Sequence, residues 1–122
     1  LKRVTIHEES NARSAIAKYA FRTPIIPLNY TRPDAPNLRI YVKLETLQPK
    51  VGSFKVRGAS NAILSRRQEL ESMAKKVVVT SSAGNMGQGV ANACQEMDCH
   101  CIVIVPDHAP QTKLDAMIHG YG

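Results

Sequence analysis

Tryptophan is absent from this chain of 122 residues, which holds only two phenylalanines and four tyrosines. The 16 lysines and arginines are scattered along it, and no basic cluster is interleaved with aromatics. A stacking platform for single strands, or a basic recognition stripe, is therefore missing, and nucleic acid is not an expected partner. The formal charge of +6 has other sources: a basic surface beside a phosphorylated ligand, or a piece cut from a more balanced whole. Apolar runs stay far below the roughly 20 residues that cross a bilayer, so no membrane partner is expected. No secretory signal is visible. The chain begins at Leu1 rather than methionine, so its natural N-terminus is expected to be missing. Cysteine is sparse: Cys94, Cys99 and Cys101 lack the paired spacing of a zinc site, and they are expected to be free buried thiols of a reducing compartment. His7, His100, His108 and His119 show no ligand spacing, so no metal is expected. A cytoplasmic location fits these features, and an organelle remains open with the N-terminus unseen.

What is present has the length of one domain, enough to bury a real core. Thr5 and Glu8 fit a capping box, and Ile6, Ala12, Ala15, Ile16, Tyr19 and Ala20 form a stripe that predicts a helix from Ile6 to Tyr19. Thr23-Pro24 and Ile26-Pro27 end it in extended backbone, and residues 31–37 form a proline-rich polar loop. A strand is predicted over Arg39–Leu44, then a helix from Ser53 to Ser72 carrying Phe54, Ala59, Ala62, Ile63 and Leu70. The short β-branched run Val77–Thr80 reads as a strand. A helix over Met86–Met97 follows, its stripe made of Met86, Val90, Cys94 and Met97. Cys101–Val105 is a second apolar strand, and Pro110 opens a last helix that stops at Gly120. Strands alternating with helices predict an α/β fold, a parallel sheet with flanking helices on both faces.

Two motifs carry chemistry. Lys55 follows the Gly52-Ser53 turn, between Phe54 and Val56, in the first turn of a helix. The positive end of the helix dipole is a poor place for a cation, and acidic residues are the usual choice there. Electropositive and apolar surroundings favour the neutral amine that a Schiff-base lysine needs. A solvated lysine that merely begins a helix is the alternative on local pattern alone. The second motif, Ser81-Ser82-Ala83-Gly84-Asn85, is rich in donors and leads straight into a helix, which suits a carboxylate or phosphate. A Ser/Asn capping loop with no ligand is its alternative. No Gly-Lys-Ser/Thr ends it, so it is not a P-loop, and Gly84, Gly87 and Gly89 do not make GxGxxG. Ligands of parallel sheets bind beyond the carboxyl ends of the strands, and that rule places Lys55 and Asn85 at one edge.

Taken together, Arg22-Thr-Pro24, Lys43-Leu-Glu45, Leu47-Gln48, Gly52-Ser-Phe-Lys-Val-Arg-Gly-Ala59, Ser82-Ala-Gly-Asn85, Gln88-Gly-Val-Ala91, Val105-Pro106, Ala109-Pro110, Lys113 and Gly120-Tyr-Gly122 span nearly the whole chain. In that order they resemble the threonine dehydratase and serine racemase branch of the pyridoxal-phosphate enzymes, whose fold is shared with the tryptophan synthase β subunit. The resemblance implies pyridoxal 5'-phosphate as cofactor and Lys55 as the lysine that holds its aldehyde as a Schiff base. By the same match, Phe54 packs beside the cofactor and Asn85 hydrogen-bonds the ring's phenolic oxygen. Ser82, Ala83 and Gly84, ending at Asn85, receive the carboxylate of a small amino-acid substrate. The freed Lys55 amine then takes the Cα proton, the β-hydroxyl leaves, and a 2-oxo acid and ammonia result.

Ala83 stands where serine racemases usually carry the serine that protonates the opposite face, which favours deamination of L-threonine or L-serine over racemisation. Val56 follows the lysine where threonine synthase-like members usually have an acidic residue. Val51 replaces a usual threonine, and Met86 replaces a usual histidine, which removes a polar group near the cofactor. The family's glycine-rich phosphate cup and the partner of the ring nitrogen lie beyond Gly122. Residues 1–30 are thus expected to belong to the larger domain and residues 31–122 to form most of the small one. On this reading the chain is an N-terminal portion that neither holds the cofactor firmly nor turns over alone, while the full-length protein is a homo-oligomer. A non-catalytic binding or regulatory fragment is the reading from another class.

Overall fold

A computed structural model describes residues 3–121 of the chain. The terminus at Leu1 and the last position of the Gly120–Gly122 landmark lie outside the described residues. The capping box forms as expected: Thr5 Oγ1 accepts the Glu8 N–H at 3.2 Å, and Glu8 Oε2 accepts the Thr5 N–H at 2.8 Å. Helix α1, Ile6–Ala15, is shorter than the stripe predicts. Ser14 Oγ donates to the Ser10 carbonyl at 3.0 Å and the Ala17 N–H turns back to the Ser14 carbonyl, so the chain leaves the helix in tighter turns. The buried anchors Ile16 and Ala20 lie in those turns, while Ile6 points to solvent.

Strands β1, Ile25–Pro27, and β2, Tyr41–Lys43, pair antiparallel with Ile26 opposite Val42. This corrects the expectation that the strand over Arg39–Leu44 joins a parallel sheet. Its edge is taken by the proline-flanked extended segment, and bonds from the Leu28 N–H to the Ile40 carbonyl and from the Leu44 N–H to the Pro24 carbonyl extend the pairing. A 3₁₀ turn over Glu45–Leu47 follows, and Gly52 closes the approach to the next helix with φ +59°, a left-handed conformation that glycine adopts freely.

The single predicted helix over Ser53–Ser72 is two, α2 at Lys55–Leu64 and α3 at Arg67–Ser72. Ser65 Oγ donates to the Ala62 carbonyl at 3.0 Å, and the Arg66 N–H turns to the nearer Ile63 carbonyl. The ladder is interrupted there. Beyond it, β3 (Val77–Ser81), α4 (Asn85–Glu96) and β4 (His100–Ile104) form a parallel βαβ unit with Val79 opposite Ile102. Helix α5, Gln111–Gly120, follows.

Helix α4 sits at the centre. Every residue from Gly87 to Cys94 is buried, which is a wider belt than the predicted stripe of Met86, Val90, Cys94 and Met97. Met86 itself is exposed. The small side chains of Gly87, Gly89, Ala91 and Ala93 let α2, the β3–β4 pair and α5 all close on this helix. One core cluster joins Ile16, Ala20, Val51, Val56, Ala91 and Tyr121; the other joins Ala59, Ile63, Leu70, Val90, Ala93 and Cys94. The Tyr121 hydroxyl donates to the Lys50 carbonyl at 2.9 Å and ties the end of the chain to the turn before Ser53.

Among the described residues, only one face of the β3–β4 pair is covered. Val78 and Cys101 pack inward, while Val79, Ile102 and Ile104 remain 59%, 52% and 57% exposed. The three cysteines are free thiols, as expected, but only Cys94 is buried, while Cys99 and Cys101 are half-buried. A hydrogen bond with Cys101, and then burial, push the Cys94 thiol well up from its ordinary range. No group of His, Cys, Asp and Glu among the described residues could hold a metal ion, and no helix there is long and apolar enough to cross a membrane.

Candidate active site

Lys55 is the first residue of α2. Phe54 occupies the capping position with helical backbone and offers no side-chain cap, so the Lys55 N–H finds the hydroxyl of buried Ser53 at 3.3 Å. The first turn holds no acidic residue. Lys55 is half-buried, and its Nζ stands 4.8 Å from the centre of the Phe54 ring. The ammonium thus meets an aromatic face and the positive end of a helix rather than a carboxylate.

Asn85 is the first residue of α4, after the half-buried loop Ser82, Ala83 and Gly84. The loop is shaped by short bonds: the Ser82 N–H reaches the Ile104 carbonyl at 3.1 Å, and the Gly84 N–H reaches Ser82 Oγ at 3.2 Å. A side chain at Gly84 would meet nothing within 4 Å, so the loop faces open space. The first turn of α4 leaves backbone N–H groups without partners in the helix.

Helix α2 does reach the helix that carries Asn85, although not along a shared sheet edge. Gly89, one turn beyond Asn85 on the same side of α4, is where α2 arrives: a Cβ there would stand 3.2 Å from the backbone carbon and oxygen of Lys55. Only glycine lets the helices touch backbone to backbone at that point. Gly87 is tighter still, with Ser82 O 2.5 Å, Met117 Sδ 2.9 Å and Val103 Cγ1 3.2 Å from its built Cβ. It keeps the carboxylate-loop candidate pressed against α4.

A polar cluster behind α2 carried no role in the sequence reading. Arg57 donates through Nε and Nη2 to the two oxygens of Glu45, at 3.0 and 2.8 Å, and through Nη2 to the Phe21 carbonyl at 2.9 Å. Thr23 donates its hydroxyl to Glu45 at 2.7 Å, and Lys43 donates to the Thr23 carbonyl. Buried Gln48 pairs with the Phe21 backbone in both directions, at 2.9 and 2.8 Å. The Arg57 fork leads in lowering the Glu45 carboxyl from 4.5 to about 2, with Thr23 and Gln48 adding to it against the cost of burial. Arg57 lies two residues past Lys55, so the cluster clamps the start of α2 to the segment around Phe21. Glu45 and Arg57 stand 12 residues apart, and no helical or strand spacing rule joins them. Lys113, read only as a landmark, donates from Nζ to Asn85 Oδ1 at 3.0 Å.

A half-buried lysine begins α2, a donor-rich loop leads into α4, and the two helices meet at Gly89 within an α/β frame. The profile of the family described as "Pyridoxal-phosphate dependent enzyme" matches residues 16–119, and the chain belongs to that family. It is similar to a serine racemase of Dictyostelium discoideum, 44% identical over 98% of this chain and 35% of that protein. A catabolic L-threonine dehydratase of Staphylococcus aureus is 34% identical over 98% of this chain and 33% of its own length. Among solved structures, a pyridoxal 5'-phosphate-dependent aspartate racemase superposes with a TM-score of 0.86 at 40% identity, covering 100% of this chain and 37% of the other. The fold is thus the α/β architecture of these enzymes, and the cofactor of the family is pyridoxal phosphate. The chain spans about a third of the length of the curated relatives it matches. The higher identity to a racemase does not favour the dehydratase activity that Ala83 suggests.

Proposed function

We propose that the chain carries the lysine-bearing part of a site that deaminates L-serine or L-threonine to a 2-oxo acid and ammonia. The residues present fit pyridoxal phosphate: an amine without an acidic neighbour in its helical turn, an amide at Asn85, and an open loop at Gly84. Lys55 would hold the cofactor's aldehyde, with Phe54 and Asn85 beside its ring. When bound, the cofactor supplies the electron sink that makes the Cα–H bond of an amino acid breakable.

The chain's own residues then have defined tasks. Ser82, Ala83, Gly84 and the first turn of α4 receive the substrate carboxylate through N–H groups and the Ser82 hydroxyl. Lys55, with its amine free, takes the Cα proton. The β-hydroxyl departs with a proton as water, and a second water later releases ammonia, so the net change is the amino acid to its 2-oxo acid and ammonia. The observation that carries deamination over racemisation is Ala83, whose methyl group cannot return a proton to the opposite face. A racemase is the second reading, supported by the 44% identity to one.

Borohydride added to the full-length protein with pyridoxal phosphate is expected to fix a reduced adduct on Lys55 that Lys55→Ala lacks; no adduct there would remove the site reading. In an active preparation, L-serine is expected to yield pyruvate without D-serine. D-serine as the main product would decide for the racemase.

A further inference from the structure

Lys113 lies in the first turn of α5, and its ammonium is 3.0 Å from the Asn85 side chain. An ammonium has three donors and no acceptor, so the amide atom facing it must be the oxygen, and the two remaining N–H donors of Asn85 turn the other way. We propose that Lys113 is a positioning residue of the site, holding the Asn85 amide in the one orientation that presents its NH₂ group to a ligand.

The orientation matters because the group to be met is an acceptor. The inference rests on the reading of Asn85 as the contact to the ring's phenolic oxygen, which carries negative charge or a lone pair. A flipped amide would set oxygen against oxygen. The fold keeps Lys113 in place through its own helix. The Lys113 N–H bonds to the Pro110 carbonyl at 2.9 Å, and Met117, one turn further along the same side of α5, is buried in the notch over Gly87. Gly87 and Asn85 belong to the same helix, so Met117 docked at Gly87 holds α5 alongside α4, where Lys113 meets Asn85. With the cofactor bound, the cation would act on that oxygen through the Asn85 amide and favour its anionic form.

The test has a readout that needs no cofactor. In nuclear magnetic resonance spectra of the unliganded chain, the Asn85 side-chain N–H pair (assigned by its loss in Asn85→Asp) is expected to shift in Lys113→Met and to keep its position in Lys113→Arg. In parallel, the pyridoxal phosphate concentration for half-maximal trapping on Lys55 of the full-length protein is expected to rise roughly three- to tenfold in Lys113→Met, the worth of one charge-assisted hydrogen bond. Lys113→Arg should recover most of it. An Asn85 pair unmoved in Lys113→Met overturns the proposal whatever the trapping shows. No adduct in the unaltered full-length protein, with the Asn85 shift present, brings down the cofactor reading of Lys55 instead and leaves the positioning contact standing. Weaker trapping with an unmoved Asn85 pair would make Lys113 a direct ligand and not a positioning residue.

Discussion

A Cβ built on Gly87 would stand 2.5 Å from the Ser82 carbonyl oxygen, whereas at Gly58, within α2, it would meet nothing within 4 Å. Alanine at these two positions therefore has opposite expected effects. Gly87→Ala must displace a backbone carbonyl and the Met117 sulfur, and is expected to lower stability by about 1–3 kcal/mol, the usual cost of overpacking. Gly58→Ala adds a better helix former into open space and is expected to raise stability by about 0.5–1 kcal/mol. Thermal unfolding of the two variants beside the unaltered chain checks both; equal midpoints would contradict the close contact at Gly87. At this scale the sequence was legible where a residue broke a local rule. Lys55 stood out because a cation is misplaced in a first helical turn, and the structure does put it there beside Phe54. Lys113 breaks the same rule in the first turn of α5, but the sequence names no partner for it, and its contact with Asn85 lies 28 residues away.

Helix α2 owes its entry angle to the polar cluster on its far side. Arg57 grips Glu45 while Gln48 holds the Phe21 backbone, so the approach to Ser53 is braced by charge as well as by Val51 and Val56. The folded-state carboxyl of Glu45 sits at about 2, below its ordinary 4.5. A group lowered in this way contributes stability that is fully present above pH 4.5 and lost as pH falls from there toward 2. Acid titration of folding is thus expected to show a loss across that window that is much reduced in Glu45→Gln, which is less stable at pH 7. An unchanged acid slope in the variant would show that the fork contributes nothing. The limits of reading elements from sequence are visible here as well. Periodicity located α2, α4 and α5, because each buries a face. It missed the break at Ser65, where one hydroxyl takes the Ala62 carbonyl, since a serine in a helix and a serine that ends one look alike in a hydrophobic pattern. It placed the strand over Arg39–Leu44 in the wrong sheet, because alternation identifies a strand but not its partner.

For the molecule as a whole, one surface stands out. Val79, Ile102 and Ile104 form an apolar strip on the open face of the β3–β4 pair, opposite the face that α4 covers. Strips of this kind on a parallel pair favour association. The chain is expected to self-associate with rising concentration. Ile102→Lys should suppress this in sedimentation velocity without a large loss of stability, because the position is already open to solvent. Sedimentation that does not change with concentration in the unaltered chain would count against an adhesive face. The α/β class itself was readable from the alternation of short β-branched runs with helical stretches. What brings α2 to the helix that carries Asn85 was not, because backbone contact at Gly89 replaces the shared sheet edge.

That contact also sets an order of events in time. Strand β3, helix α4 and strand β4 are consecutive, and their pairings close over short stretches of chain. Helix α2 reaches α4 only after the turns around Ser65 and Met73 have folded back. Loop closure of this kind comes late when nearer contacts can form first. The loop at Ser82–Asn85 is therefore expected to take shape first, within the βαβ unit, with α2 docking afterwards, an order that amide-exchange labelling during refolding would check. A chain caught before that step would already own its donor-rich loop and would still lack the docked helix that carries its amine.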